Sequence, residues 1–343
     1  MNEQSFIQSS WSKPDEKLET TLRPQSLTDF FGQEKVRERL SILMQAAKTR
    51  KEPLGHVLFY GPPGVGKTTL AHLISKTMGT QLVITSGPVI EKAADLAGLL
   101  TKLKEGDVLF IDEIHRLSKT IEEYLYPAME DFCLDLLIDT GPAARSVQVK
   151  LNKFTLVGAT TRAGLLSSPL RSRFAFSSRL DYYDAETLQK IILRSSLRLS
   201  TPIDEDAAYE IALRSRGTPR IANNLLRWVR DFALIQKSDR IHQEIAVLAL
   251  ELLSIDHLGL DEMDKKFLSV LIDHHEGGPT GIQTLAAAVG EESETLAEVY
   301  EPYLVLQGFI KRTPRGREAT RLAYLHLGRT LPSKFNQGEQ QCL

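Results

Sequence analysis

Gly61-Pro62-Pro63-Gly64-Val65-Gly66-Lys67-Thr68-Thr69-Leu70 follows the apolar run Val57-Leu58-Phe59-Tyr60. Glycines at 61, 64 and 66 with Lys67 and Thr68 match the P-loop pattern. The context that pattern requires is present: a strand-like run precedes it, and helical spacing from Thr68 to Met78 follows. In such a turn, backbone N–H groups curl around phosphates at a helix N-terminus, where the helix dipole favours anions. Lys67 would neutralise the β- and γ-phosphates, and the Thr68 hydroxyl would ligate magnesium. The expected ligands are ATP and Mg2+.

Outward from this turn, strand-like runs alternate with helical ones. Helical spacing covers Gln33 to Lys48, and strand-like runs cover Val57 to Tyr60, Gln81 to Thr85, Asp107 to Ile111 and Phe154 to Ala159. That alternation predicts an α/β domain with a parallel sheet and helices on both faces. Between Phe132 and Leu151 the period changes to two: Leu134, Leu136 and Ile138, a Gly141-Pro142 turn, then Val147, Val149 and Leu151. This is a β-hairpin inserted into the α/β pattern. From 185 to about 254 the pattern is helical, with Asp204 as an expected cap and Gly217-Thr218-Pro219 opening a further helix. Three helices are expected at Asp261 to His274, Ile282 to Val289 and Glu294 to Leu306. After them comes Lys311-Arg312-Thr313-Pro314-Arg315-Gly316-Arg317. Three helices and a basic β-turn describe a winged helix.

The chain has 343 residues, 42% hydrophobic and 25% charged, enough for two or three domains with ordinary cores. A formal net charge of -2 gives no global attraction to polyanions, so contact with nucleic acid has to come from a local patch. Two distant cysteines, Cys133 and Cys342, with no ligand-spaced partners, point to a reducing cytosol and against a zinc site. No apolar run approaches membrane-spanning length, and the polar N-terminus lacks a signal-peptide core, so the expectation is a cytoplasmic, non-secreted protein with no membrane partner.

The second half of a nucleotide site is legible at Val108-Leu109-Phe110-Ile111-Asp112-Glu113, an apolar strand ending in two acids. Burying acids there is costly unless a cation or a reaction uses them. Asp112 would hold magnesium through water and Glu113 would polarise the attacking water. Arg173, beyond the strand ending at Thr160-Thr161, could reach the γ-phosphate in a neighbouring subunit. Arg220, opening the helix after Pro219, could sense it within its own. A surface salt bridge is the alternative for each arginine.

These segments resemble the AAA+ ATPases: Walker A at 61–68, Walker B at 108–113, a sensor-1 segment Gly158-Ala159-Thr160-Thr161-Arg162, the finger segment and sensor 2 occur in that order. Leu22-Arg23-Pro24, Glu130-Asp131-Phe132, Gly141-Pro142-Ala143-Ala144-Arg145-Ser146, Gly158 to Gly164 and Arg312 to Arg317 make the chain similar, within that class, to the RuvB family of branch-migration motors. The resemblance runs from about 15 to about 330. It implies an AAA+ P-loop core with an inserted hairpin, then an all-α lid and a winged-helix head. The implied divisions are 1–183 (with 1–20 a mobile arm), 184–255, 256–336 and a tail at 337–343. It also implies that Leu22, Arg23, Glu130, Asp131, Phe132 and Tyr183 line the nucleotide. Gly64, Lys67, Thr68 and Thr69 would contact phosphate and magnesium, Arg173 would be a finger acting in trans, and Arg220 sensor 2. Arg312 and Arg317 would contact DNA. The implied partners are Holliday-junction duplex DNA, further copies of the chain in a hexamer, RuvA on the 133–151 hairpin, and the resolvase RuvC. The implied activity is ATP-driven duplex translocation in recombination and repair. Ala175 stands where the family has glycine, followed by Phe176-Ser177-Ser178, and Cys133 and Asp139 depart from the family text in the hairpin.

Four positive charges in seven residues suit phosphate contact with no base-reading set, so binding would be salt-sensitive and sequence-independent. The acidic helix Glu294 to Leu306 is expected to be repelled by phosphates, which disfavours base reading. Two other functions share the ATPase core. A clamp-loader-like protein switch should lack the basic wing, and a site-binding initiator should carry base-reading side chains.

Overall fold

In the computed structural model the structure describes residues 21–138 and 145–335. The expected arm at 1–20, the Gly141-Pro142 turn, Asp139 and the tail at 337–343 lie outside them. Two compact bodies are present. One runs through Ile191 and includes Thr218–Arg220; the other holds Ile192–Gly217 and the chain from Ile221 onward.

The first body is built on five parallel strands. These are β1 (Val57–Tyr60), β2 (Leu82–Ser86), β3 (Val108–Asp112), β6 (Thr155–Thr160) and β7 (Phe176–Arg179), in the order β2-β3-β6-β1-β7. β6 is buried along its whole length, and β1 and β3 all but their last residues. That is why these runs read as continuous apolar segments rather than alternating ones. Helices α1 (Glu34–Arg50), α2 (Lys67–Met78), α3 (Ala93–Leu100), α4 (Lys119–Glu130) and α5 (Ser168–Ser172) connect or cover them. Leu58, Leu109, Ile111 and Leu156 of the strands pack with Leu96, Ile121, Leu125 and Leu170 of the helices. The order reverses direction at β1, whose carboxyl end is where such sheets bind ligands. The segment that departs from the family text forms β7, and a Cβ at Gly55 would lie 2.9 Å from that of Ala175. A methyl at 175 therefore fits only against a residue without one.

The inserted hairpin is β4 (Cys133–Ile138) paired antiparallel with β5 (Arg145–Lys150), Leu134 opposite Val149 and Leu136 opposite Val147. Leu134 joins the core of the domain, whereas Val147 is exposed. The hairpin is thus anchored at its base by Leu134, with Val147 exposed farther along β5.

In the second body α6 (Ala185–Arg198, from its Ile192 onward), α7 (Glu205–Leu213), α8 (Pro219–Ile235, from its Ile221 onward) and α9 (Gln243–Glu251) supply the predicted helical stretch. Asp204 occupies the N-cap position of α7 but does not cap it. Its carboxylate instead takes Arg240 at 2.7 Å and His242 at 2.6 Å, two charge-assisted partners that outcompete a backbone N–H. The remainder is a second core formed by α10 (Glu262–Ser269), α11 (Ile282–Val289), α12 (Ser293–Thr295), a π turn Leu296–Tyr300, α13 (Glu301–Leu306), strands β8 (Ile310–Thr313) and β9 (Gly316–Ala319), and α14 (Arg321–His326). Reciprocal hydrogen bonds of Asp261 and Asp264 box the start of α10. Asp264 also holds Arg216, whose guanidinium lies 4.3 Å over the Tyr303 ring. No helix among the described residues is long and apolar enough to cross a membrane.

Candidate nucleotide site and wing

The P-loop turn leaves β1 at Gly61, whose N–H donates to Thr160 O on β6. Its φ of 140° is one that L side chains rarely adopt, and a Cβ there would run into the Leu180 carbonyl oxygen. Tyr183 Oη donates to Val65 O at 3.1 Å, and Phe30 packs against Gly66, so aromatic rings support the turn from the side. Arg220 lies against Gly64, its N–H 3.4 Å from Gly64 O. Leu22 is buried, and Arg23 donates Nη1–H to His72 Nε2 at 2.6 Å. That acceptor role requires a neutral ring, and burial followed by the Arg23 charge pushes His72 down to about 4.

Lys67 opens α2, is buried, and donates Nζ–H to Gly61 O at 3.0 Å and Pro62 O at 2.8 Å. Burial lowers it to about 8 against the pull of Asp112 and Glu113, and Arg220 lowers it further. Thr68 and Thr69 follow on the first turn of α2, which packs against β3. Asp112 ends β3 and its Oδ1 accepts the Glu113 N–H at 2.9 Å.

Glu113 is in the left-handed region, φ 47°, where a non-glycine residue stores strain. Its carboxylate meets Thr161 Oγ1 at 3.3 Å and His115 Nδ1 at 3.2 Å, and that nitrogen also lies 2.8 Å from Thr160 Oγ1. A proton on Nδ1 serves both oxygens, since a carboxylate can only accept. Burial first, then Asp112, raises the Glu113 carboxyl. Gly87 permits this arrangement, because a Cβ there would lie 2.5 Å from Glu113 O. His115, Gly87 and Phe30 carried no sequence signal: each looks like an ordinary loop or core residue until the fold sets it beside the acids or the turn.

Among the described residues no cluster of three metal-ligating side chains exists. A hydroxyl and one carboxylate are nevertheless the donor set that suits Mg2+, which keeps most of its ligands as water and phosphate oxygen. Thr68 and Asp112 fit that set.

The other predicted nucleotide residues are elsewhere. Glu130 ends α4 and Asp131 and Phe132 follow it, and Arg173 Nη2 donates to Glu130 Oε2 at 3.1 Å while Nη1 donates to Pro169 O at 2.7 Å. The guanidinium stacks 4.4 Å over Tyr126. This group is tied to the head of β1. His56 Nδ1 accepts the Leu156 N–H, which leaves Nε2–H to donate to Met129 O at 2.9 Å, and its ring lies 6.2 Å from that of Phe132. Burial holds His56 below the usual imidazole range, consistent with that neutral tautomer. The four residues of β1, about 13 Å of strand, separate this group from Gly61. One chain brings together Gly64, Lys67, Thr68, Thr69, Asp112, Glu113, Tyr183 and Arg220, with Arg23 on His72 of the same helix α2 and Leu22 buried, but it does not add Glu130, Asp131, Phe132 and Arg173 to them.

On the second body, Arg312 and Arg317 are opposite each other across β8 and β9. Lys311 and Arg315 are exposed beside them.

Three family models match the chain. They are described as the Holliday junction DNA helicase RuvB P-loop domain over residues 22–180, the RuvB AAA lid domain over 183–256, and the RuvB C-terminal winged helix domain over 257–328. The Holliday junction branch migration complex subunit RuvB of Protochlamydia amoebophila is 64% identical over 94% of this chain and 97% of its own length. That of Christiangramia forsetii is 59% identical over 98% of each. A solved structure of the Thermotoga maritima RuvB Holliday junction branch migration motor is 52% identical, covers 91% of this chain and 100% of its own, and superposes with a TM-score of 0.83. The AAA+ core, the helical lid and the winged-helix head are thus those of one lineage, and the chain belongs to the RuvB family.

Proposed function

We propose that the chain is the ATP-driven motor that moves Holliday junctions along duplex DNA. ATP hydrolysis is completed between copies of the chain, six in a ring, with duplex DNA held by the wings. The domains are those of 1–183, 184–255 and 256–336. The observation that carries this reading is the division of the nucleotide residues: Lys67, Asp112 and Glu113 gather at one end of β1, and Arg173 with Glu130 at the other. A lone protomer cannot bring its own finger to its own phosphates, so an adjacent copy supplies it.

Lys67 exchanges its two backbone acceptors for phosphate oxygens, and its charge is then held by the ligand. Glu113 orients the attacking water, and Thr161 and His115 hold its carboxylate until then. Arg220 reports the state of the γ-phosphate into the helix it opens. Thr68 and Asp112 are the residues that would hold magnesium, which when bound would supply positive charge to offset the negative charge on the phosphates. Leu22, Arg23 and Tyr183 enclose the base side of ATP, and Phe132 and Asp131 of the next copy close it. Exposed Val147 on the 133–151 hairpin suits contact with a protein partner, RuvA, which selects the junction; the resolvase RuvC acts in the same larger complex. The site of action is the cytoplasm.

The test is branch migration of a synthetic four-way junction with and without ATP and the junction-binding partner. Movement that needs ATP supports the motor. ATP turnover with no strand exchange under any combination would return the chain to the class of protein switches.

A further inference from the structure

One acid of the helix expected to repel DNA never reaches the surface. Glu301 is fully buried, placed at the start of α13 directly after the π turn Leu296–Tyr300. Leu296, Tyr300 and Leu304 are also buried, so Glu301 lies on the core side of this helix. A π turn changes the phase of the residues that follow it, and such turns recur at functional sites.

Among the described residues, the buried carboxylate is satisfied by donors of the wing. Arg317 donates Nε–H to Oε1 at 2.8 Å and Nη2–H to Oε2 at 3.0 Å, and Arg312 donates Nε–H to Oε1 at 2.6 Å. Burial pushes the Glu301 carboxyl up, but the hydrogen bonds from Arg317 and Arg312 outweigh it and hold the group below the usual range. Two like charges opposite each other on paired strands repel, and the shared anion removes that cost. The two arginines are not equivalent. Arg317 spends two nitrogens on the carboxylate and its side chain is 21% exposed, whereas Arg312 spends only Nε and is 55% exposed. Both terminal nitrogens of Arg312 are uncommitted among the described residues.

We propose that Glu301 is the positioning residue of the wing: it orients Arg312 as a two-pronged donor for one backbone phosphate of duplex DNA, with Arg317 as the brace that saturates the carboxylate. A planar guanidinium fixed at Nε offers a phosphate two parallel N–H groups, a geometry a lysine cannot reproduce. This rests on the reading that the wing contacts DNA.

The experiment measures binding of the full chain to a labelled duplex of arbitrary sequence over a range of salt. Glu301→Gln is nearly isosteric and adds one net positive charge to the wing. Charge alone would tighten binding; loss of positioning weakens it, by about fivefold. Arg312→Lys keeps the charge and leaves Glu301 and Arg317 in place, so it carries the test even if Glu301→Gln fails to fold. It is expected to weaken binding by a similar factor with the salt slope unchanged. In the double variant the two losses should not add, since both remove one fork. Tighter or unchanged binding in Glu301→Gln, unchanged binding in Arg312→Lys, or additive losses would overturn the proposal. If Arg312→Ala leaves binding and its salt slope untouched, the wing is not the DNA contact, and the underlying reading falls with it.

Discussion

Two phosphate-seeking regions of this molecule keep their cations ready in different ways. In the cleft a single lysine is buried and rests on the carbonyls of Gly61 and Pro62, with its pKa drawn down to about 8. On the wing two arginines share one buried carboxylate. An ammonium can give up its proton when desolvated, and a guanidinium cannot. The cleft lysine is therefore charged at pH 7 but loses its proton as pH rises through about 8 unless a bound anion holds it. The wing is charged at every pH the protein meets, which suits a surface that must hold DNA throughout a cycle.

The most severe way to break the cleft side of this contrast is Lys67→Ala, expected to leave ATP turnover undetectable while circular dichroism stays that of the parent; full turnover would remove the lysine from the site. Next is Arg173→Ala, expected to lower turnover by about 10³-fold. Activity should return in part when this variant is mixed with Glu113→Gln, because hybrid interfaces pair an intact finger with an intact base. No recovery at any ratio would place the finger in cis. On the wing, joint replacement of Arg312 and Arg317 by alanine should weaken duplex binding about tenfold at moderate salt. It should also reduce the slope of log K against log salt by up to about two. The smallest effect sharpens the comparison itself. Lys67 in the free protein loses its proton as pH rises through about 8. The bound form needs it, so nucleotide affinity should fall about fourfold between pH 7 and pH 8.5. Titration calorimetry would record proton uptake on binding in that window, while duplex binding by the wing stays flat.

The core strands were legible because burial on both faces leaves no room for polar residues in β1, β3 and β6. β7 was not, because Phe176-Ser177-Ser178-Arg179 is a short edge strand with only Ser178 buried. The P-loop and the Asp112-Glu113 pair were readable as local patterns. His115, three-dimensionally between Glu113 and Thr160, was not, since its partner lies 45 residues away. Asp204 and Glu301 mark the same limit from the other side. Both were read by their chemistry as a cap and a surface acid, and both are claimed by distant cations that a one-dimensional pattern cannot locate.

His56 at the head of β1 carries a consequence for assembly. It clamps the finger-bearing group to the same four-residue strand whose far end releases the P-loop. Because β1 is locked in register with β6 on one side and β7 on the other, its length cannot drift without flipping core residues outward. The strand thereby works as a spacer bar: in the proposed assembly it sets how far Arg173 stands from Lys67 within each copy.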